Sequence, residues 1–142
     1  MRTILLITIV GLASIGCSTS EPAKTQGGSP LVEENVPEVT VDEVDSGLAK
    51  SEWQAVDANG DGTRKKMGVV PGAVLLSDYE TFASSELGPD KAKNLVFYCA
   101  NTSCGASHEA ASRARMAGYK NVKVMPDGIA GWVKAGKKVQ SI

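Results

Sequence analysis

The segment Asn94–Gly118 (NLVFYCANTSCGASHEAASRARMAG) constrains the fold most strongly, because it places a cysteine between an apolar run and a helix-forming stretch. The apolar run at 95–98 predicts a buried strand, and alanines spaced by three or four residues predict a helix after residue 105. Cys99 therefore lies where a strand gives way to a helix. Converging backbone N–H groups and the helix macrodipole favour a thiolate there, although a buried core cysteine is the alternative interpretation.

The composition of the 142-residue chain limits both its size class and its partners. It carries 22% charged residues with a formal net charge of -1, so it lacks the basic surface that nucleic-acid binding requires. Its three cysteines, Cys17, Cys99 and Cys104, are too few for a disulfide-rich scaffold. We therefore expect one ordinary domain, no nucleic-acid partner, no cofactor and a monomer.

Residues 1–16 have the pattern of a signal peptide, with Arg2 ahead of a short apolar run and small residues before Cys17. The apolar run is too short for a permanent membrane span. The residues before Cys17 resemble the lipobox of bacterial lipoproteins, although Ser14 stands where leucine is usual. An ordinary cleaved signal is the alternative. Lipidation of Cys17 would anchor the protein to a membrane, and Ser18 favours the outer membrane, on its periplasmic face.

The rest of the chain divides into a linker and a folded domain. Residues 17–38 comprise the lipidated cysteine and a flexible linker rich in Ser, Gly, Pro and Glu. The domain spans 39–142, with five strands predicted at 39–41, 53–57, 74–76, 95–98 and 121–125. Helices are predicted at 42–49 with Asp42 as cap, at 78–85, after 105 and after 127. This alternation indicates an α/β domain with a mainly parallel sheet, whose sites lie at the carboxyl ends of the strands.

The segment after the second strand contains half of a calcium-binding pattern. The opening of an EF-hand loop, D-x-N-x-D-G, is matched by Asp57, Asn59, Asp61 and Gly62. Gly68 stands at the twelfth position, where a bidentate glutamate is required, and the segment enters from a strand. We therefore predict a turn-rich connection here and no metal site.

Four short motifs are distributed along the predicted domain: VPGA before the third strand, VFYC closing the fourth, AGYKNV entering the fifth, and GIAGWVKAG near the end. Together they resemble the landmarks of the rhodanese-like domain. The resemblance implies a five-stranded, mainly parallel sheet with helices on both faces. It aligns Cys99 with the family's catalytic cysteine, Asp57 with the acidic residue that ends the second strand, and Trp132 with a structural tryptophan.

The loop after Cys99 departs from the common rhodanese pattern C-R-x-G-x-R-S. Cys104 stands where that pattern has an arginine, and the helix start fits only if the loop is two residues longer. Gly105 replaces the arginine of the related phosphatases, so phosphatase activity is not expected. Bacterial rhodanese-like proteins with a second cysteine and an A-S-H sequence are similar in this loop. Because the loop lacks arginine, we expect a small neutral sulfur donor or a thiol protein as partner, and not thiosulfate.

The predicted site combines reactive side chains with a loop of backbone donors. The candidate catalytic residues are Cys99, Cys104 and His108. The substrate-binding loop is expected to comprise Ala100, Asn101, Thr102, Ser103, Gly105, Ala106 and Ser107. Asp57 and Asn59 are expected to support this loop without touching the substrate.

Two of these candidates have simpler interpretations. Cys104 can attack a persulfide or sulfenate on Cys99 and form a disulfide, or it can merely fill space in the loop. His108 can hydrogen-bond to Cys99 as a neutral ring, because a helix start disfavours the protonated form, or it can have no role.

The leading hypothesis is a membrane-anchored, rhodanese-like sulfurtransferase that carries sulfane sulfur as a persulfide on Cys99. The first alternative is a thiol redox or sensing protein that uses a Cys99–Cys104 couple. The second alternative is a non-catalytic binding module that keeps the fold and has lost the chemistry.

Overall fold

A parallel sheet organises the part of the chain that the computed structural model describes, residues 35–142. Its strands are β1 (Trp53–Asp57), β2 (Val74–Leu75), β3 (Asn94–Tyr98) and β4 (Asn121–Met125), in the order β2-β1-β3-β4. All three neighbouring pairs are parallel. The predicted signal peptide, Cys17 and most of the predicted linker lie outside the described residues.

Four α-helices connect or flank these strands: α1 (Val41–Ala49), α2 (Asp61–Met67), α3 (Ala106–Met116) and α4 (Gly128–Lys134). A short 3-10 helix, Ser84–Leu87, precedes β3. Between residues 35 and 142, no helix combines the length and the apolar character that crossing a membrane requires. The predicted α/β architecture with a parallel sheet is confirmed.

The predicted first strand at 39–41 is the main difference in the sheet. Glu38 makes a single parallel bridge to Val124, so this segment adds one bridge beyond β4, and within residues 35–142 the sheet has four strands. The helix starts too early for a strand to extend. The Thr40 side chain accepts a hydrogen bond from the Glu43 N–H, and the Glu43 carboxylate accepts one from the Thr40 N–H. This capping box makes Thr40 the cap instead of Asp42.

Two connections also differ from prediction. The segment predicted as a turn-rich connection contains α2, which begins after Gly60 and ends at Gly68, where φ is 77°. The helix predicted at 78–85 is instead a turn followed by the 3-10 helix. The Asp78 carboxylate accepts hydrogen bonds from the N–H groups of Glu80 and Thr81, which stabilises a turn at the expense of a helix.

The two faces of the sheet support separate apolar clusters. One cluster covers the α3 face, where Leu95 and Phe97 of β3 pack with Ala110 and Ala114. The other covers the opposite face, where Val96 and Tyr98 alternate with them and pack with residues of α1 and α4. Helices therefore cover both faces, as predicted. Of the alanines spaced by three or four residues, Ala110 and Ala114 are buried, Ala106 is half-buried and Ala117 is exposed, while Ala111 is buried as well.

Candidate active site

Cys99 follows β3 directly and lies at the carboxyl edge of the sheet. It continues the alternation of Leu95 and Phe97, so its side chain belongs to the cluster under α3. Only 1% of Cys99 is exposed. Seven residues further along the chain, at Ala106, α3 begins, so the loop that the sequence places between strand and helix spans 99–105.

Two backbone hydrogen bonds from the start of α4 hold the loop in place. The N–H of Ile129 donates to the Cys99 carbonyl oxygen at 2.9 Å, and the N–H of Ala130 donates to the Ala100 carbonyl oxygen at 3.0 Å. Gly128 has φ of 60°, and a Cβ atom there would lie 2.5 Å from the Cys99 carbonyl oxygen. Only glycine allows this close approach of α4 to the loop.

Two groups contact the Cys99 sulfur. The thiol donates to the carbonyl oxygen of Cys104 at 3.0 Å, and Sγ lies 3.3 Å from the hydroxyl of Ser107. Burial raises the pKa of the Cys99 thiol, and its interaction with Cys104 adds to this, while the hydroxyl and N–H of Ser107 act in the opposite direction. The lowered pKa expected from the helix start is therefore not found, because burial outweighs the helix.

Cys104 has the opposite electrostatic environment. Burial opposes its ionisation, yet hydrogen bonding from the Cys99 thiol and from the N–H groups of Ala100 and Ala106 lowers the pKa of Cys104. Part of its surface is exposed, and both Cys99 and Cys104 are free thiols. The loop amides that were expected to stabilise Cys99 thus act on Cys104.

The remaining loop residues form a solvent-exposed turn. Asn101 organises it, since its carbonyl oxygen accepts from the Cys104 N–H and its side chain accepts from the Ser103 N–H, both at 3.0 Å. Asn101, Thr102 and Ser103 are exposed, as is Gly105, whereas Ser107 is buried beside the Cys99 sulfur. The structure therefore brings Ser107 to the Cys99 sulfur and leaves the tip of the loop facing solvent.

His108 lies in the first turn of α3 but has a partner outside the loop. Its Nε2 atom is 3.7 Å from the Glu38 carboxylate, and 43% of the side chain is exposed. The described partner of its ring is therefore Glu38, which precedes α1. The catalytic role of His108 stays a prediction.

Asp57 and Asn59 lie at the end of β1, and both are buried. The Asp57 carboxylate accepts from the Asn59 N–H at 2.7 Å and from Arg64 Nε at 3.1 Å. One carboxylate oxygen of Asp57 and the side-chain nitrogen of Asn59 have no partner among the described residues. Because the Ala58 N–H donates to the Tyr98 carbonyl oxygen, this pair is tied to the strand that leads into Cys99.

Arg64 is the residue at this edge that sequence reasoning missed. It is 6% exposed, and besides Asp57 Oδ1 it donates to the carbonyl oxygens of Asp57 and Leu76. It therefore joins the ends of β1 and β2. The only sequence signal was an arginine three residues after Asp61, a spacing that acquires meaning once α2 is known to be a helix. Within 35–142, no group of three or more His, Cys, Asp or Glu side chains is placed to hold a metal.

Sequence comparison decides the family of this domain. The family model described as "Rhodanese-like domain" matches residues 40–135, more than half of the chain. The chain belongs to the rhodanese-like domain family. A comparison with curated protein sequences gave no significant match.

Solved structures share this rhodanese-like fold. The rhodanese-like domain of an Anabaena protein has a TM-score of 0.63 and 20% identity, covering 75% of this chain and 80% of that one. A human single-domain sulfurtransferase has a TM-score of 0.57 and 20% identity, covering 70% and 96%. A 3-mercaptopyruvate sulfotransferase from Escherichia coli has a TM-score of 0.62 and 21% identity, covering 75% and 51%. At such identities the likeness establishes the fold.

Proposed function

We propose that this rhodanese-like protein is a sulfurtransferase that carries sulfane sulfur as a persulfide on Cys99. The observation that carries the proposal is the position of this cysteine, at the carboxyl end of β3 and beside the Ser107 hydroxyl at 3.3 Å. Family membership supports the same reading, as do the structural neighbours described as sulfurtransferases.

The reaction conserves electrons and needs no cofactor. A bond forms between Cys99 Sγ and the sulfane sulfur while the S–S bond of the donor breaks, and the donor leaves as a thiol. A nucleophilic acceptor then takes the outer sulfur and restores the Cys99 thiol. The Ser107 hydroxyl, next to Sγ, can donate to the sulfur when it is anionic, which stabilises both the thiolate and the persulfide.

The charges near the site favour a donor other than thiosulfate. Residues 99–105 contain no basic side chain. Of the neighbouring arginines, Arg64 is committed to Asp57, and Arg113 is paired with Glu109 at 3.1 Å. Thiosulfate is a small dianion, and on binding it would lose its hydration without gaining a cationic partner. An organic or protein-bound persulfide does not need such a partner.

We further propose that Cys17 is lipidated and holds the domain on the periplasmic face of a bacterial membrane, most simply the outer membrane. The support is the apolar run and the small residues before Cys17. The mass of the mature protein from a bacterial host tests this proposal. A mature chain that begins at Cys17 and carries acyl groups supports it, and a chain cleaved elsewhere without acyl groups contradicts it.

Persulfide formation tests the sulfurtransferase proposal directly. The reduced full chain is incubated with glutathione persulfide, thiosulfate or 3-mercaptopyruvate, and peptide mass spectrometry locates any added sulfur. Cyanide should then release thiocyanate, and replacement of both loop cysteines, Cys99→Ser together with Cys104→Ala, should abolish this release. The matched control, Cys17→Ser, removes a cysteine outside the described residues and should keep the activity. Absence of both persulfide and thiocyanate with every donor would refute the proposal.

A thiol redox function is the second candidate, because Cys99 and Cys104 are both free and interact through the Cys99 thiol. In this function, a disulfide oxidant accepts two electrons and the two thiol protons and leaves as two thiols, while the sulfurs of Cys99 and Cys104 form a disulfide. Equilibration with glutathione buffers, followed by mass spectrometry, measures its reduction potential. A disulfide that forms and is reduced rapidly would favour this function, whereas two thiols that stay reduced in oxidised glutathione would exclude it.

A further inference from the structure

We propose that Cys104 is the thiol that first takes sulfur from the donor, and that Cys99 receives the sulfur from Cys104. This inference rests on the proposed sulfurtransferase function and adds an entry step to it. In this order of events, Cys104 is the acceptor that faces the donor. Cys99, which is buried, then carries the sulfur.

Accessibility is the first argument. Cys99 is 1% exposed, its thiol donates to the Cys104 carbonyl oxygen, and the loop covers it. Cys104 is only half-buried and follows the exposed turn of residues 101–103. A bulky donor such as an organic persulfide can therefore reach the Cys104 sulfur without displacing the loop, whereas attack by Cys99 would require the loop to open.

The second argument is the placement of the hydrogen-bond donors. The N–H groups of Ala100 and Ala106, from the two ends of the loop, act on the Cys104 sulfur. Ala106 is the first residue of α3, so the positive end of this helix also favours negative charge there. These donors lower the pKa of Cys104, while burial raises that of Cys99. When the pair loses one proton, Cys104 therefore becomes the thiolate, and the thiolate is the nucleophile.

The chemistry balances in two exchanges. In the first, the Cys104 thiolate attacks the terminal sulfur of an organic persulfide, R–S–SH. The donor S–S bond breaks, R–S⁻ leaves, and Cys104 carries the new persulfide. In the second, Cys99 attacks the outer sulfur of that persulfide, which keeps its proton, the bond between this sulfur and Cys104 Sγ breaks, and the proton of the Cys99 thiol passes to solvent, where the released R–S⁻ takes it up. Cys104 is thereby restored as a thiolate, and no external oxidant or reductant is consumed.

The second exchange takes place between two cysteines of the same loop. The sulfur of Cys99 already lies 3.0 Å from the carbonyl oxygen of Cys104. Because both cysteines belong to one loop and are in contact, a sulfur atom bound to Cys104 stays beside Cys99. Once transferred, the sulfur is covered by the loop and shielded from water and from competing thiols.

Selective alkylation of the unmodified full chain provides the first test. The reduced protein is treated briefly with iodoacetamide at neutral pH, and peptide mass spectrometry measures the label on each cysteine. We expect Cys104 to react about tenfold or more faster than Cys99, because it is both more accessible and more ionised. In denaturant, the control condition, the two rates should become similar. Faster labelling of Cys99 in the folded protein would overturn the inference.

Sulfur loading of single-cysteine variants provides the second test, with glutathione persulfide as the probe. In Cys99→Ser, Cys104 should acquire sulfur at the rate of the parent protein and keep it. In Cys104→Ala, Cys99 should load at least about tenfold more slowly, because the entry thiol is missing. Loading of Cys99 at the parental rate in Cys104→Ala would overturn the inference while leaving the sulfurtransferase function intact. Absence of persulfide on both loop cysteines of the parent protein would instead refute the function itself.

Discussion

The thiol of Cys99 donates a hydrogen bond to the backbone carbonyl oxygen of Cys104 at 3.0 Å. A carbonyl oxygen can accept this proton but has none to give, so the contact stabilises the protonated thiol and not the thiolate. The closed loop and the neutral form of Cys99 therefore support each other. When Cys99 ionises or takes up sulfur, this bond is lost, and the loop loses one of the contacts that keep it closed.

Ser107 should control the reactivity of Cys99. Its hydroxyl lies 3.3 Å from Cys99 Sγ and lowers the pKa of that thiol against the larger effect of burial. In a Cys104→Ala background, Ser107→Ala should therefore raise the pKa of Cys99 and slow its alkylation about two- to fivefold at mildly alkaline pH. The measurement is the alkylation rate with iodoacetamide across a pH series. Ser112→Ala, on the same helix, is the control, and an equal effect from both variants would contradict a specific role for Ser107.

Gly128 should be required for the position of the loop. Its φ of 60° disfavours other residues, and a Cβ atom there would also lie 2.8 Å from the Ala100 carbonyl oxygen. Gly136→Ala is the matched control, since Gly136 has φ of 73° and no atom within 4 Å of the added Cβ. We expect the control to lose about 1–2 kcal/mol of stability from backbone strain, and Gly128→Ala to lose about 3 kcal/mol or more. Urea unfolding measures both, and equal losses would contradict the steric argument.

The buried pair of Arg64 and Asp57 should be essential for the stability of the sheet edge. Arg64→Leu leaves the Asp57 carboxylate buried without its cationic partner, and it removes the bond to the Leu76 carbonyl oxygen. We expect a loss of about 3–5 kcal/mol in the free energy of unfolding. Lys65→Leu, at the next and exposed position of α2, should change it by less than about 0.5 kcal/mol. Both are measured by urea unfolding, and similar midpoints for the two variants would show that the pair contributes little.

Glu86 should make stability depend on pH at the acidic end. Burial acts against it, but hydrogen bonds from the N–H and hydroxyl of Ser77 and the N–H of Ala83 lower the pKa of Glu86 below its usual 4.5. Because the folded pKa is the lower one, this stabilisation is fully present above pH 4.5 and is lost as the pH falls through the folded pKa.

Glu86→Gln should therefore be less stable than the parent at neutral pH, by up to about 1 kcal/mol, and equally stable in strong acid. Thermal unfolding over a pH series measures the difference. The control is Glu52→Gln, which replaces a carboxylate at an exposed position before β1. A stability difference for Glu86→Gln that is the same at all pH values would contradict the assigned hydrogen bonds.

The local sequence was sufficient to predict the elements whose conformation depends on residues close to one another in the chain. The apolar runs that became β1, β3 and β4 are buried strands because their side chains face helices on both sides of a parallel sheet. The position of Cys99 after β3 follows from the same pattern. The rhodanese landmarks predicted the family, which the sequence match over residues 40–135 confirms.

Contacts beyond simple helix or strand propensity decided the conformation of segments for which that propensity is ambiguous. Residues 61–63 have weak helical propensity, yet Arg64 finds buried acceptors at the ends of β1 and β2, and these contacts favour α2. Conversely, the expected helix after Asp78 gives way to a turn, because its carboxylate accepts two backbone N–H groups. The partners of Arg64 lie further away in the chain and cannot be read from a linear pattern, whereas those of Asp78 lie only two and three residues away.

The electrostatics of the two thiols show this division most clearly. The sequence by itself determined that Cys99 and Cys104 share one loop between a strand and a helix, because chain order fixes that spacing. Only the tertiary structure decided which sulfur the loop buries and which one its amides stabilise. The pKa of a thiol depends on the water, donors and charges within a few ångströms, and for Cys99 and Cys104 these come from the fold of the loop onto α3 and α4.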